Sequence, residues 1–240
     1  SRQVGATVFV HAENGEILNF LRSECVKKGQ LTPHYHYVSR PPFTEAEAVR
    51  RAIYLAGQTD TPLYIAHMTC REAIAELQKA KGTGQRVSGE TCTHYLTTTK
   101  EDLDNPDFNE AAKFVCSPAL RDREDCEALW QALSDGLLTA VSSDHCGIDV
   151  AELKQAGRND FTQIPNGSPG AGDRLHMVWT EGVCTGKLTR QKFVDVIATQ
   201  PAKINGIYPR KGTLAVGSDA DVVIFDPNYE GTCLLYTSPS

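Results

Sequence analysis

Short apolar runs alternate along the chain with stretches whose apolar residues recur every three or four positions. Four runs rich in β-forming residues predict strands at residues 5–10, 62–66, 86–92 and 138–142. The helical spacing predicts helices over residues 16–28, 45–56, 70–82, 123–133, 173–181 and 190–199, with a short extended segment at residues 113–116. This alternation predicts an α/β protein whose parallel sheet is covered on both faces.

Polar residues at capping positions precede three of the predicted helices. Thr44 with Glu47, and Thr69 with Glu72, have the three-residue spacing of a capping box. Asp122 is expected to cap the next long helix. These residues predict where the three helices begin.

A residue with ligand chemistry directly follows three of the predicted strands: His11, His67 and Asp144. An open doubly wound sheet and a (β/α)8 barrel both fit the alternation, but barrel active sites are assembled from the C-terminal ends of several strands. A barrel needs eight strand–helix units in about 250 residues, and only about four strands are evident here. The pattern therefore predicts the C-terminal half of a (β/α)8 TIM-type barrel.

Composition narrows the class of protein. The 240 residues are 40% hydrophobic with a net charge of −6, which suffices for the core of one soluble domain or most of one. Charges of both signs are interspersed, so nucleic acid and membrane surfaces are not expected partners. The eight cysteines occur singly, which favours reduced thiols in a cytoplasmic protein.

His11, His67 and Asp144 are expected to converge at one edge of the sheet. Each of them alone is more simply explained as a hydrogen-bonded structural residue, but three in equivalent positions favour a metal site. Imidazole and carboxylate ligands suit Zn²⁺ or a similar divalent ion. His145 competes with Asp144, and because side chains alternate along a strand, only one of the two is expected to face the site.

The pair His34 and His36 also looks like part of a metal site. A His-x-His pair on one strand can point both rings to the same side. These two residues lie instead in the connection between the first strand and the helix at residues 45–56, with no strand end beneath them. We therefore predict a loop motif that does not bind metal.

Several motifs occur in an order that is similar to one known family. They are HAENG at residues 11–15, YH at 35–36, SRPP at 39–42, GETCTHYL at 89–96, CSP at 116–118, SSDHC at 142–146 and IPNG at 164–167. The chain, from about residue 6 to 227, resembles the dihydropyrimidinase and D-hydantoinase branch of the cyclic amidohydrolases. GSDADVV at residues 217–223 resembles the returning strand of that family's small β-sandwich domain.

The resemblance implies a metal-dependent hydrolase that opens a cyclic ureide, a 5,6-dihydropyrimidine or a hydantoin, to an N-carbamoyl amino acid. It implies that His11 and His67 hold one of two divalent ions, with Zn²⁺ expected, and that Asp144 binds the other and acts as general base. Ser117 and Asn166 match positions whose main-chain groups hold the substrate, although both could simply be turn residues. The family's His-x-His pair and the carbamylated lysine that bridges the metals would lie upstream of this chain.

The resemblance also implies domain boundaries and an assembly. Residues 1–205 would be barrel and residues 206–231 part of the small β-sandwich domain, in a protein that is a homotetramer at full length. One reverse translation of residues 233–240 matches a transposase mosaic-end sequencing adapter, so residues 232–240 are expected to be a non-native tail on an incomplete gene. The chain alone is expected to be an inactive fragment.

Three alternatives share the fold that the resemblance implies. The non-catalytic collapsin response mediator proteins are scaffolds, and that group is marked by loss of the metal ligands that this chain keeps. Allantoinase and dihydroorotase are the alternative enzymes. Ala119 replaces a common proline, and Gly147 with Ile148 replaces a common proline–aromatic pair. These departures leave substrate preference more open than the metal chemistry.

Overall fold

A parallel sheet of four strands organises the chain. The computed structural model describes residues 5–228 and residue 230. The strands are β1 (Val8–Val10), β2 (Leu63–Ile65), β3 (Val87–Cys92) and β4 (Ala140–Ser142), in the spatial order β1-β2-β3-β4. Every neighbouring pair is parallel, with Val8 opposite Leu63 and Leu63 opposite Val87. The carboxyl ends of strands adjacent in sequence therefore meet at one edge of the sheet.

Helices occupy the connections between the strands, as the periodicity predicted. They are α1 (Gly15–Lys27), α2 (His34–Val38), α3 (Pro42–Gln58), α4 (Arg71–Gly82), α5 (Thr93–Thr97), α6 (Phe108–Ala112), α7 (Arg123–Ser134), α8 (Arg174–Val178), α9 (Arg190–Val194) and α10 (Gln200–Ile204). Short 3-10 helices cover Lys100–Asp104, Lys154–Gly157 and Phe161–Gln163. The predicted helices at 173–181 and 190–199 each continue into a π-helix, Trp179–Cys184 and Asp195–Thr199.

Helix α1 begins where its sequence provides a cap. The side chain of Asn14 accepts a hydrogen bond from the backbone N–H of Ile17 at 3.1 Å. Glu16 lies in the first turn and Lys27 in the last, where their charges complement the helix dipole. The predicted bounds of this helix agree with the structure to within one residue.

The two predicted capping boxes are wrong. Helix α3 begins at Pro42, three residues before the predicted start, because proline at the first helical position needs no hydrogen-bond acceptor for its nitrogen. Thr44 lies inside this helix and donates its hydroxyl to the carbonyl of Pro41. The cap residue of α4 is Cys70 and not Thr69, whose polar groups bond elsewhere.

Asp122 does precede α7, as predicted, but its side chain makes no capping hydrogen bond. It pairs instead with Lys100. The predicted extended segment at residues 113–116 is a turn followed by irregular chain, and His34 and His36 lie in the short helix α2 rather than in an open loop.

The core lies between the sheet and helices α3, α4 and α7. Strand β2 is buried throughout, with Ile65 fully inaccessible, as expected for a central parallel strand. Gly89 on β3 allows close packing, since a Cβ atom there would lie 2.6 Å from the Sδ of Met68. The sheet is therefore tightly packed against the side chains that cover it at Gly89.

The described part of the C-terminal segment contains no strand at residues 206–228, where one was predicted over residues 217–223. Val222, Val223 and Ile224 are exposed. The small β-sandwich domain stays a prediction, and the predicted non-native tail at residues 232–240 lies outside the described residues. Among the helices that the structure describes, none is long and apolar enough to cross a membrane.

Candidate active site

The imidazoles of His11 and His67 meet at the carboxyl edge of the sheet. His11 directly follows β1, and His67 lies two residues beyond the end of β2. The Nδ1 atom of His11 is 2.9 Å from the Nε2 atom of His67, and the rings contact edge to face with centroids 4.7 Å apart. Two of the three predicted ligands are therefore brought together, one from each of two paired strands.

The backbone is unusual at two of the predicted ligands. His67 has a φ of +33° and Asp144 a φ of +44°; within the described residues, Asp60 is the one other non-glycine residue with a positive φ. This conformation costs of the order of 1–3 kcal/mol for a residue with a side chain, and such strain concentrates at functional sites. Both residues lie just past a strand end, where the chain turns sharply across the edge of the sheet.

Asp144 lies near the histidine pair without completing a compact three-ligand group. Burial and the proximity of His11 lower the pKa of His67, and the negative charge of Asp144 acts in the opposite direction. Across the portion of the chain that the structure describes, no three His, Cys, Asp or Glu side chains are grouped closely enough to hold an ion. The chain thus offers two converging nitrogen donors with a carboxylate nearby.

The remaining candidate histidines are engaged elsewhere. His145, the competitor of Asp144, accepts hydrogen bonds at Nδ1 from the backbone N–H groups of Gly170 (3.1 Å) and Ala171 (3.3 Å). Its ring therefore anchors the segment at residues 170–171. The expectation that Asp144 rather than His145 faces the site stays a prediction.

His34 and His36 also have partners of their own. His34 pairs with Asp104 at 2.6 Å, and the buried His36 donates from Nε2 to the carbonyl of Cys116 at 2.7 Å. Burial and the charge of Arg40 lower the pKa of His36 to about 3, so its ring is neutral. Both side chains thus have hydrogen-bond partners within the fold, and the prediction that this pair does not bind metal stays a prediction.

Glu13 contacts His11, Arg40 contacts Glu13, and neither residue was predicted as part of the site. The Nε2 atom of His11 lies 3.0 Å from Oε2 of Glu13, whose carboxylate also accepts from Nη1 of Arg40 at 3.1 and 3.2 Å. Burial acts to raise the pKa of Glu13, but the hydrogen bond from His11 and the charge of Arg40 lower it below its usual value. The spacing of His11 and Glu13, two residues apart after a strand, was the available signal.

A second buried ion pair adjoins the loop that carries His67. Arg121 pairs with Glu45 at 3.1 Å and donates from Nε to the hydroxyl of Thr69 at 2.9 Å. The backbone N–H of Thr69 donates to Glu45 at 2.8 Å. Burial raises the pKa of Glu45, against the lowering effect of Arg121. This pair joins residues 76 positions apart, so no local pattern could have revealed it.

Ser117 and Asn166, the predicted substrate-binding residues, contact each other. The hydroxyl of Ser117 donates to Oδ1 of Asn166 at 3.0 Å. Lys154 links the two chain segments that carry these residues, because its buried Nζ donates to the carbonyls of Val115 (3.1 Å) and Gly167 (2.8 Å). The two segments are thus held side by side, as a shared main-chain binding surface would require.

A cavity of about 220 Å³ lies between α5 and the segment at residues 167–170. Both ring nitrogens of its wall residue His94 are buried and find no hydrogen-bond partner among the residues that the structure describes. Burial and the proximity of His67 lower the pKa of His94 to about 3. His11, His67 and Asp144 do not line this cavity.

Sequence comparisons show relatives over most of the chain. The amidohydrolase family profile matches residues 2–238, a range that runs into the segment expected to be non-native. A D-hydantoinase of Ralstonia pickettii is 50% identical over 228 residues, which cover 95% of this chain and 50% of that protein. A dihydropyrimidinase of Arabidopsis thaliana is 40% identical over 227 residues, covering 95% and 43%.

Solved structures give the same result. A D-hydantoinase structure superposes with a TM-score of 0.89 at 50% identity, covering 91% of this chain and 48% of that one. The D-hydantoinase (dihydropyrimidinase) from Thermus sp. superposes with a TM-score of 0.93 at 38% identity, covering 96% and 50%. The chain spans about half the length of these relatives. The resemblance inferred from the motifs is confirmed, and the chain belongs to the amidohydrolase family.

Proposed function

We propose that the protein carrying this sequence is a metal-dependent hydrolase that opens 5,6-dihydropyrimidines or hydantoins to N-carbamoyl amino acids. The observation that carries the proposal is the convergence of His11 Nδ1 and His67 Nε2 at the ends of two paired strands. Relatives named D-hydantoinase and dihydropyrimidinase support the substrate class. A small-molecule cyclic ureide, rather than a macromolecule, is the proposed partner.

The residues present fit part of a divalent metal site. Two imidazole nitrogens from separate strands face one another, and Nδ1 of His67 is buried with no hydrogen-bond partner in the described part of the chain. In the proposal His11 and His67 hold one of two ions, with Zn²⁺ expected, and Asp144 binds the second. Such ions, when bound, polarise the substrate carbonyl and make water acidic enough to react near neutral pH.

The chain's own groups perform the remaining steps. Asp144 takes the proton released by the attacking water and returns it to the ring nitrogen that leaves, which is general acid–base work by a positioned carboxylate. The main-chain groups at Ser117 and Asn166 hold the ureide. The contact between these two residues supports that role, because it places both segments on one surface.

We also propose that the four strands form the C-terminal half of a (β/α)8 barrel. Their sequential parallel order, and coverage of about half of each relative, support this arrangement. The carbamylated lysine and the His-x-His pair would then come from outside these 240 residues. The homotetramer and the cytoplasmic location remain predictions.

A substrate panel tests the proposed function. The full-length, metal-loaded protein is expected to open dihydrouracil and hydantoin faster than allantoin or dihydroorotate. Preference for either of the last two would assign the protein to the corresponding alternative enzyme class. Failure to bind metal and to open any of the four compounds would instead favour the scaffold class.

A further inference from the structure

We propose that Glu13 is a positioning residue that fixes which nitrogen of His11 is free to bind metal. The inference rests on the proposed function, in which His11 is a metal ligand. Under this proposal the metal site also depends on Glu13, and on Arg40, which holds Glu13 in place.

The contact between His11 and Glu13 selects one tautomer of the imidazole. A carboxylate accepts hydrogen bonds, so the Nε2 atom that lies 3.0 Å from Glu13 carries the hydrogen. A neutral imidazole protonated at Nε2 has its lone pair at Nδ1. Nδ1 is the atom that faces His67 at 2.9 Å. Glu13 therefore directs the lone pair of His11 toward the position between the two rings.

Glu13 itself is held in place. Its side chain is 3% exposed and that of Arg40 is 9% exposed. Nη1 of Arg40 donates to both carboxylate oxygens, at 3.2 and 3.1 Å, so rotation of the carboxylate would break two bonds in a buried environment. Histidine ligands of metals commonly donate their second N–H to such a carboxylate, and this partner sets both ring orientation and affinity.

The same network reaches the second histidine. The backbone carbonyl of Arg40 accepts a hydrogen bond from Arg121. Arg121 in turn contacts Glu45 and Thr69, and Thr69 lies two residues beyond His67. A network of buried charged groups thus connects the loop after β1 with the loop after β2. Because each loop carries one of the two histidines, Glu13 is expected to affect the alignment of both rings.

Nitrogen-15 NMR of the histidine-labelled, metal-free, full-length protein tests the tautomer directly. The wild type is expected to carry the His11 hydrogen on Nε2, and Glu13→Ala is expected to shift the population toward Nδ1–H. Glu13→Gln keeps an oxygen acceptor and is expected to retain the wild-type tautomer. A wild-type hydrogen on Nδ1, or an unchanged tautomer in Glu13→Ala, would overturn the proposal.

Metal affinity provides the second readout, measured by Co²⁺ titration in visible absorption and by Zn²⁺ competition. Glu13→Ala is expected to bind roughly 10- to 100-fold more weakly than wild type, the usual effect of losing such a partner. Glu13→Gln is expected to be closer to wild type. Glu24→Gln is the matched control, because Glu24 lies on α1 and pairs only with the exposed Lys27 among the contacts described for it.

The two readouts separate this inference from the proposed function. A wild-type protein that binds neither ion would contradict the metal site, while the NMR measurement would still decide the role of Glu13. Normal binding in wild type with equal binding in Glu13→Ala would refute the positioning role alone. If Glu13→Ala fails to fold, the milder Glu13→Asp, which shortens the side chain and keeps its charge, takes its place with the same expected direction.

Discussion

His67 and Asp144 adopt a left-handed backbone conformation although neither is a glycine. Asparagine, aspartate and histidine adopt this conformation more often than other residues with a side chain, but it remains uncommon for them. The unusual backbone thus coincides with two of the residues that the strand-end pattern singled out. Their role as metal ligands stays a prediction.

Replacement of Asp144 by asparagine is expected to abolish proton transfer without disturbing the backbone. Asparagine accepts the positive φ, but its amide cannot take and return a proton. We expect kcat for hydantoin opening to fall by roughly 10²- to 10⁴-fold, with an unchanged circular dichroism spectrum. Asp60→Asn is the matched control, since Asp60 also has a positive φ but pairs with Arg86 at the surface. Equal losses in both variants would contradict the role of Asp144.

The buried His36 predicts a dependence of stability on pH. Its pKa is about 3 in the folded protein and 6.5 in an unfolded chain, so the unfolded chain binds the proton first. The stabilising contribution of neutral His36 is complete above about pH 6.5 and is lost as the pH falls toward about 3. We expect the free energy of unfolding to decrease by up to about 1.4 kcal/mol per pH unit from this residue.

Urea denaturation at about pH 7.5 and about pH 5 measures this dependence. His36→Gln keeps a donor for the carbonyl of Cys116 and is expected to show a shallower loss than wild type. His34→Gln is the control, because the side chain of His34 is 40% exposed. The same pH dependence in wild type and His36→Gln would exclude His36 as its source.

At the level of elements, the strands and long helices follow local periodicity, whereas helix starts depend on distant partners. The side chain of Asn14 caps α1 by accepting a hydrogen bond from the backbone N–H of Ile17, three positions away. Thr69 instead bonds to Glu45, 24 positions away, and Asp122 pairs with Lys100. A side chain that bonds to a distant partner is less available to cap its own helix. This explains the misplaced start of α4, whereas α3 begins early because Pro42 takes its first position.

A pair of alanine variants compares the cap observed at α1 with the predicted cap at α7. Asn14→Ala removes the capping hydrogen bond, together with the bond from Asn14 to Glu47, and is expected to lower the free energy of unfolding by about 1 kcal/mol. Asp122→Ala removes only a partly exposed ion pair and is expected to cost less, about 0.5 kcal/mol. Both values come from urea denaturation at neutral pH. A larger loss for Asp122→Ala would show that its side chain does cap α7.

At the scale of the whole molecule, the described residues bring two imidazoles together but no third ligand of the kind a metal ion requires. Catalytic zinc sites use three protein ligands and one open position. The chain also covers about half of each relative with which it was compared. The two-histidine group seen in the described residues is therefore short of the ligand number of a catalytic zinc site.

These 240 residues expressed alone are accordingly expected to bind Zn²⁺ weakly and to open no dihydrouracil. Isothermal titration and a colorimetric assay for the N-carbamoyl product measure the two properties. The full-length protein, prepared in parallel, is the positive control. Metal-dependent turnover by the 240 residues would show that this chain contains a sufficient site.

Amino-acid order by itself determined the alternation of strands and helices, the parallel sheet, and the placement of His11 and His67 at strand ends. These features are local, because periodicity acts over a few residues and parallel strands share one direction. Only the tertiary structure showed that Arg40 pairs with Glu13 beside His11, and that Arg121 pairs with Glu45 beside the loop that carries His67. These ion pairs join residues 27 and 76 positions apart, and their partners are chosen by burial, since a buried charge requires an opposite charge wherever the fold places one.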